Sequence, residues 1–241
     1  DVSYSACNIP YNIADPAREL DDLVVRSAAA FRDKQGIDLR TGHRVEGIDR
    51  GTRTVHGRRS DGSTFTLPWD RLLIATGATS IRPAIEGMDL PGVFTVKNLE
   101  DGRRIKEFLR KRKAERAVIL GMGYIALEMT EALADLGLAV DLVKPHVGLL
   151  PWLHRELAKP VRELLEQRGV GLYDGHRVDR ITADGDRLRV QAGDLALTAD
   201  LVIAAIGVTP CASLAEQAGL ELSVGGSIAT DRTLRTKDPE I

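Results

Sequence analysis

The stretch from Val118 to Glu128 reads Val-Ile-Leu-Gly-Met-Gly-Tyr-Ile-Ala-Leu-Glu and decides the fold. An apolar run enters a Gly-x-Gly-x-x-Ala turn, and a helical pattern follows. In dinucleotide-binding units of this type, Gly121 permits the tight turn, Gly123 lets the backbone approach a pyrophosphate, and Ala126 keeps helix and strand close. The first helical turn adds free N–H groups and a positive dipole end. The stretch therefore predicts a dinucleotide site, and a glycine turn in an ordinary strand-turn-helix unit is the alternative.

The end of the next predicted strand bears on the choice of nucleotide. In NAD-binding units a carboxylate at this place accepts a hydrogen bond from the ribose 2′-hydroxyl. This chain has Lys144 there. A cation removes the group that would repel a 2′-phosphate and can itself pair with one, so both NADH and NADPH stay open as donors. A lysine on the rim without cofactor contact is the alternative.

Cys7 lies in the run Ser-Tyr-Ser-Ala-Cys-Asn-Ile-Pro-Tyr over residues 3–11. The chain has one other cysteine, Cys211, far away and in no metal-like spacing, which argues against a disulfide scaffold or a zinc site. An isolated cysteine together with a dinucleotide site indicates redox chemistry on sulfur. A small buried side chain is the alternative for Cys7.

Composition excludes several classes of function. The 241 residues are 43% hydrophobic and 28% charged, with a formal net charge of -2. Interspersed charges of both signs give no footprint for nucleic acid or an anionic membrane. No apolar run approaches the ~20 residues that span a bilayer, and no signal-peptide pattern opens the chain. We therefore expect a cytoplasmic protein whose thiols are reduced at rest.

Periodicity predicts alternating strands and helices. Apolar residues at three- and four-residue spacing predict a helix from Ala14 to Gln35, and the run Arg71–Ala78 begins as a buried strand. A Pro- and Gly-rich linker over 81–92 places a domain boundary near residue 95. The other predicted elements are strands at 37–39, 45–48, 54–56, 64–67, 139–143, near 170, 178–181, 188–190, 195–197 and 201–207, and helices at 99–110 and 153–168.

Four motifs occur in one order along the chain. They are Ser-x-x-x-Cys-x-x-Pro-Tyr over 3–11, Leu-Ile-Ala-Thr-Gly-Ala over 73–78, the Gly121 turn continuing to Glu128, and Ile-Gly-Val-Thr-Pro over 206–210. This order and spacing resemble the flavin-dependent pyridine nucleotide-disulfide oxidoreductases of the single-cysteine branch. Coenzyme A-disulfide reductases, persulfide reductases and NADH oxidases belong to that branch. The resemblance covers essentially all residues and implies FAD and NAD(P)H as cofactors.

The resemblance also implies an α/β fold of tandem Rossmann-like domains, with the FAD domain incomplete. Relatives place a flavin-binding glycine turn before the cysteine and a dimerisation domain at the C-terminus, so we expect a central fragment of a homodimeric parent. Residues 1–95 would form part of the FAD-binding domain with the redox cysteine. Residues 96–222 would form the NAD(P)-binding domain, and residues 223–241 would begin the return to the FAD domain.

Site residues follow from the resemblance position by position. Cys7 matches the sulfur that alternates between thiolate and an oxidised form. Cys211 falls where relatives often carry asparagine after the proline, so the resemblance implies a structural role for it. Tyr124 matches the residue that covers the flavin until nicotinamide displaces it, and Glu128 matches a glutamate near the nicotinamide; a packed aromatic and a capping or surface role are the respective alternatives. The expected cofactor contacts are Gly121, Gly123, Tyr124, Ile125, Glu128, Lys144, Gly207, Thr76 and Gly77, and the expected substrate contacts are Ser3 and Tyr11.

The substrate is less sharply indicated. Coenzyme A-disulfide reductases commonly show Asn-Cys-Gly, whereas this chain has Ala-Cys-Asn over 6–8. Ser3 and the Pro10-Tyr11 pair still favour the thiol-disulfide side. We therefore expect reduction of coenzyme A disulfide or a related small disulfide or persulfide through Cys7. The alternatives are an NADH oxidase or peroxidase with a cysteine sulfenate, and a nucleotide-binding module without turnover.

Overall fold

A computed structural model describes residues 2–150 and 152–241. The strands, in chain order, are β1 (Ser3–Tyr4), β2 (Val24–Arg26), β3 (His43–Asp49), β4 (Thr54–Arg59), β5 (Thr64–Pro68), β6 (Ala78–Ser80), β7 (Val93–Thr95), β8 (Arg116–Leu120), β9 (Ala139–Lys144), β10 (Gly171–Asp174), β11 (Arg180–Asp184), β12 (Arg187–Ala192), β13 (Leu195–Ala199), β14 (Leu201–Ala204) and β15 (Val208–Pro210). The α-helices are α1 (Ile9–Ala14), α2 (Ala28–Gln35), α3 (Leu99–Lys111), α4 (Tyr124–Asp135), α5 (Arg155–Gln167) and α6 (Ser213–Gln217). Short 3₁₀ helices cover Ala6–Asn8 and Leu20–Leu23.

The chain divides into two compact units. The first comprises Ser3–Val25 and Ser80–Gly207. Its centre is a five-stranded sheet in the order β10-β9-β8-β14-β7, in which all neighbouring strands are parallel. Strand β8 runs directly into the Gly121 turn and lies between β9 and β14. This arrangement confirms the predicted Rossmann-like α/β fold around the dinucleotide motif.

Alternate residues of β8 face two different layers, as strand geometry requires. Ala117 and Ile119 belong to a core shared with residues of α1, α3 and α4. Val118 and Leu120 belong to a second core, shared with the antiparallel strands β11, β12 and β13. The parallel sheet is therefore covered on both faces, which explains why its central strands are continuous apolar runs rather than alternating ones.

The second unit comprises Arg26–Thr79 and Val208–Ile241. It holds the antiparallel sheet β3-β4-β5 and the pair of strands β6 and β15. Gly62 adopts a φ of +85° in the Asp-Gly turn between β4 and β5. A small core of Ala215, Leu220 and Ile241 packs with Trp69 and Leu72.

Three sequence predictions are wrong. The segment 14–35 is not one helix: α1 ends at Ala14, a 3₁₀ turn and β2 follow, and only α2 is helical thereafter. Pro16 and the β-branched pair Val24-Val25 disfavour a continuous helix there. Residues 37–39 form no strand, and residues 71–77 lie outside the strands, with the Leu73 side chain 82% exposed. Within the described ranges no strand pairs along residues 71–77. The Leu72 N–H donates to the carbonyl of Glu240 and the Gly77 carbonyl accepts from the N–H of Cys211, both at 2.9 Å, but isolated bonds of this kind do not form the ladder that a buried strand needs.

The structure confirms other strands and helices that the periodicity predicted. Strands β3, β4, β5, β9, β12 and β13 overlap their predicted ranges, and α3 begins at the predicted residue. Helix α5 continues through Pro160. In the compact units, Ser3–Val25 clusters with Ser80–Gly207, and the domain boundary near residue 95 stays a prediction. Among the described residues no helix is long and apolar enough to cross a membrane.

Candidate active site

At its first position, Gly121, the turn between β8 and α4 has no room for a side chain. Gly121 adopts a φ of +116°, and a Cβ there would lie 2.4 Å from the carbonyl oxygen of Ala205. The Gly121 N–H donates to the carbonyl of Val143 at 2.8 Å, so the turn is held against two neighbouring strands. This cradle fits a dinucleotide pyrophosphate, because it brings backbone close to the start of α4 without a side chain in between.

The side chains in the first two turns of α4 fall on a buried face and an exposed face. Ala126 is fully buried, as the third position of the motif requires, while Tyr124 and Ile125 are exposed. Glu128 is half-buried and lies on the same face as Tyr124, four residues earlier. Burial, together with the nearby Glu131, raises the pKa of Glu128 above its usual range. The structure therefore places Tyr124 and Glu128 on one face of α4, and the flavin and nicotinamide contacts that the resemblance implies for them stay predictions.

Sequence reasoning missed an aromatic partner of this turn. The indole N–H of Trp152 donates to the Tyr124 hydroxyl at 3.1 Å, and the two rings lie 4.8 Å apart between centroids. A Cβ on Gly123 would lie 3.5 Å from the Trp152 ring. A tryptophan in the loop after the second strand of the unit was the available signal. Trp152 thus lies over the start of α4, where a pyrophosphate would bind.

Lys144 lies at the end of β9, as predicted, but its side chain is buried and already bonded. Its ammonium donates to the carbonyl of Gly148 at 2.6 Å, and the Gly148 N–H donates to Asp174 at 2.6 Å. Arg162 forms an ion pair with the other carboxylate oxygen of Asp174 at 2.9 Å. Lys144 therefore anchors the loop that follows β9. A contact between Lys144 and a 2′-phosphate stays a prediction.

Asp174, which sequence reasoning did not identify, is the acidic group of this network. Burial opposes ionisation of Asp174, but the hydrogen bond from Gly148 and the ion pair with Arg162 outweigh it. The pKa of Asp174 therefore lies below its usual range. The carboxylate is charged at neutral pH and accepts from the N–H of Gly148, while Lys144 donates to the carbonyl of the same residue.

Cys7 is exposed and lies in the 3₁₀ turn that continues directly into α1. Tyr11, four residues later on the same side of the helix, is 51% exposed. Ser3 is half-buried in β1. Ile9 and Ile13 of α1 belong to the same core as Met129 of α4. The helix that begins beside the thiol therefore packs against the helix that begins at the dinucleotide turn.

The remaining predicted contacts fall into different units. Gly207, with a φ of +121°, lies in the first unit, and its carbonyl accepts from the N–H of Ile81 at 3.0 Å. Thr76 and Gly77 lie in the second unit, where both bond to the backbone of Cys211. These bonds involve the Cys211 backbone and not its thiol, so the structural role expected for Cys211 stays a prediction. Flavin contacts by Thr76 and Gly77 stay predictions.

Comparison with known proteins agrees with this geometry. The pyridine nucleotide-disulphide oxidoreductase family profile matches residues 2–241. The chain belongs to this family.

Three individual proteins illustrate the similarity. A protein described as NADH oxidase from Methanocaldococcus jannaschii is 31% identical over 242 residues, which are 100% of this chain and 54% of that protein. A CoA-dependent NAD(P)H sulfur oxidoreductase from Pyrococcus furiosus is 34% identical, over 98% of this chain and 52% of that protein. The solved NAD-dependent persulfide reductase from A. fulgidus superposes with a TM-score of 0.93 at 36% identity, covering 100% of this chain and 45% of that one. The chain spans about half the length of the curated relatives that it matches.

Proposed function

We propose that this protein works as an FAD- and NAD(P)H-dependent oxidoreductase that reduces coenzyme A disulfide or a related small disulfide or persulfide through Cys7. The observation that carries the proposal is the packing of α1 against α4. It joins an exposed thiol to the dinucleotide turn within one compact unit. Relatives named as coenzyme A disulfide reductase and as CoA-dependent sulfur oxidoreductase support the substrate class.

Residues of the first unit would bind and orient the nucleotide. The backbone at Gly121 and Gly123 and the first turn of α4 would hold the pyrophosphate. Tyr124 and Glu128, on one face of α4, would border the nicotinamide. Lys144 would leave both NADH and NADPH acceptable. When bound, NAD(P)H and FAD would supply the two electrons of the reaction.

Cys7 would carry the sulfur chemistry. Its thiolate would attack one sulfur of the substrate disulfide, so that a bond forms between Sγ and that sulfur and the second sulfur leaves as a thiolate. Two electrons from the nicotinamide and flavin cofactors would then cleave this mixed disulfide. The cleavage would release the second substrate thiolate and restore the Cys7 thiolate. Exposure of Cys7 suits this role, since a large substrate has to reach the sulfur.

A test compares two cysteine variants of the FAD-loaded full-length parent enzyme, since the chain spans about half the length of its curated relatives. Cys7→Ser should abolish disulfide reduction and leave flavin reduction by NAD(P)H nearly unchanged, because hydride delivery depends on the Gly121 turn and not on the thiol. Cys211→Ser is the matched control and should change neither half-reaction. Stopped-flow absorbance measures both steps. A Cys7→Ser enzyme that reduces disulfide at the parent rate would refute the proposal.

A peroxide-reducing or oxidase activity is the second candidate, favoured by the match to relatives named NADH oxidase. A peroxide would oxidise the Cys7 thiolate to sulfenate as its O–O bond breaks, and two electrons from NAD(P)H would restore the thiolate with loss of water. Mass spectrometry of Cys7 distinguishes the candidates. A coenzyme A adduct supports disulfide reduction, and a sulfenate trapped by a dimedone probe supports the oxidase or peroxidase.

A further inference from the structure

A cavity lies at the amino edge of the parallel sheet, away from the Gly121 turn. Its volume is about 260 Å³, and all the residues that line it belong to the first unit. Of these, Ala114 lies two residues before β8 and Leu138 directly before β9, whereas Gly121 follows the carboxyl end of β8. The five residues of β8 separate the two places by about 16 Å at ~3.3 Å per residue. A molecule in this cavity would therefore leave the dinucleotide cradle free.

Most of the cavity wall is apolar. The apolar residues come from the end of α1 and the turn after it, from α3 and the segment that leads to β8, and from the turn between α4 and β9. They are Ile13, Pro16, Leu109, Ala114, Leu136 and Leu138. Ile13 and Leu138 are buried, and Leu109, Ala114 and Leu136 are half-buried. Such a wall suits an alkyl chain, because the apolar area that the chain covers is removed from water.

The charged residues of the wall are all basic. Among the ten described residues that line the cavity they are Lys106, Arg110, Arg112 and Lys113. Lys106 is buried, and its ammonium donates to the backbone carbonyl of Asn12 at 2.7 Å, so it closes the end of α1. Arg110 forms an ion pair with Glu19 at 2.8 Å, which balances its charge. The uncompensated positive charge on the exposed side of the cavity is therefore that of Arg112 and Lys113.

The Arg112 guanidinium is held in place by two contacts that leave its charge uncompensated. It lies over the Phe108 ring, 5.4 Å from the ring centroid, and it donates to the backbone carbonyl of Asp186 at 2.9 Å. Lys113, the next residue, is exposed. A guanidinium fixed in this way loses little freedom when it pairs with an anion, because its planar fork is already oriented.

Helix ends act against these cations, but more weakly. The cavity lies at the carboxyl ends of α1, α3 and α4, and each end carries at most about half a negative charge that is felt within the last turn. Lys106, Arg112 and Lys113 each carry a full positive charge. The balance of charge around the cavity is therefore positive.

We propose that this cavity binds a small amphipathic anion, an aliphatic carboxylate whose chain packs on the apolar wall and whose carboxylate pairs with Arg112 and Lys113. An apolar wall alone would accept any alkyl compound, and basic side chains alone would accept any anion. Their combination in one cavity selects a ligand with both properties. The site uses neither Cys7 nor the Gly121 turn, so it does not depend on the proposed function.

Isothermal titration calorimetry of the full-length parent enzyme with octanoate tests the proposal. We expect one octanoate per chain with a Kd of about 0.05 to 5 mM, the range for a ligand of this size. Octylamine keeps the alkyl chain but reverses the charge, and propionate keeps the carboxylate but loses most of the chain. Each should bind at least about tenfold more weakly than octanoate. Absence of saturable octanoate binding, or equal affinity for octylamine, would overturn the proposal.

Two variants test whether octanoate binds in this cavity. Lys113→Glu should weaken octanoate binding about three- to thirtyfold, because it replaces an attractive charge with a repulsive one. Ala114→Leu places a larger side chain on the half-buried wall and should weaken binding at least about tenfold. Circular dichroism checks that both variants fold, and Lys113→Glu changes an exposed residue, so it still decides the question if Ala114→Leu does not fold.

Lys111→Glu is the matched control. It makes the same change of net charge two residues away, on a lysine that pairs with Glu107 and lies outside the cavity wall. Its octanoate affinity should stay within about twofold of the parent. An unchanged affinity in folded Lys113→Glu or Ala114→Leu protein would overturn the proposal. A loss as large in Lys111→Glu as in Lys113→Glu would assign the effect to net charge and overturn it as well.

Discussion

Gly121→Ala is expected to lower the free energy of unfolding by about 2 to 6 kcal/mol, as the sum of two costs. The first is the φ of +116°, a conformation that costs a residue with a side chain about 1 to 3 kcal/mol. The second is the clash of the new methyl group, 2.4 Å from the carbonyl oxygen of Ala205 and 2.9 Å from its carbon. Relieving it means moving backbone at the end of β14, which costs about another 1 to 3 kcal/mol. This loss is a large part of the ~5 to 15 kcal/mol that stabilises a typical domain.

Gly137→Ala separates the two costs. Gly137 has a φ of +85°, but a Cβ there would meet no heavy atom within 4 Å. This control should therefore lose only the conformational part. Urea unfolding followed by circular dichroism measures both variants, and an NADH titration of each should show at least tenfold weaker binding for Gly121→Ala alone. Equal losses of stability in the two variants would refute the role assigned to the Ala205 carbonyl.

Three further predictions concern the loop after β9. Because folding lowers the pKa of Asp174, its carboxylate stabilises the fold fully above the ordinary pKa of 3.8, and this stabilisation is lost as the pH falls through the lower pKa of the folded state. Asp174→Asn should therefore lower the free energy of unfolding by about 1 to 3 kcal/mol at pH 7 and by clearly less at pH 2, measured by urea titration. Lys144→Glu should weaken NADPH binding about tenfold more than NADH binding, and an unchanged ratio in fluorescence titrations would assign Lys144 to the loop alone. In a Trp69→Phe background, NADH should change the fluorescence of Trp152, which lies over Gly123; a constant signal at saturating NADH would contradict that placement.

Local sequence patterns were sufficient to predict an element where its conformation depends mainly on its own residues. The dinucleotide turn was predictable because its glycine spacing follows from backbone geometry, and α3 was predictable from the period of its apolar residues. The same reasoning failed for residues 14–35, where apolar spacing suggested one helix and the structure has four short elements. It failed again for residues 71–77, because an apolar run becomes a strand only when another strand supplies hydrogen bonds.

By itself the sequence therefore determined the α/β class, the dinucleotide turn and the identity of the redox cysteine candidate. Only the tertiary structure decided which distant segments meet. Cys7 joins the dinucleotide-binding unit because α1 packs on α4, and Lys106 closes that helix although it lies 94 residues from Asn12. Trp152 reaches Tyr124 across 28 residues. Such contacts arise from the close packing of side chains between elements, and packing leaves no periodic signal along the chain.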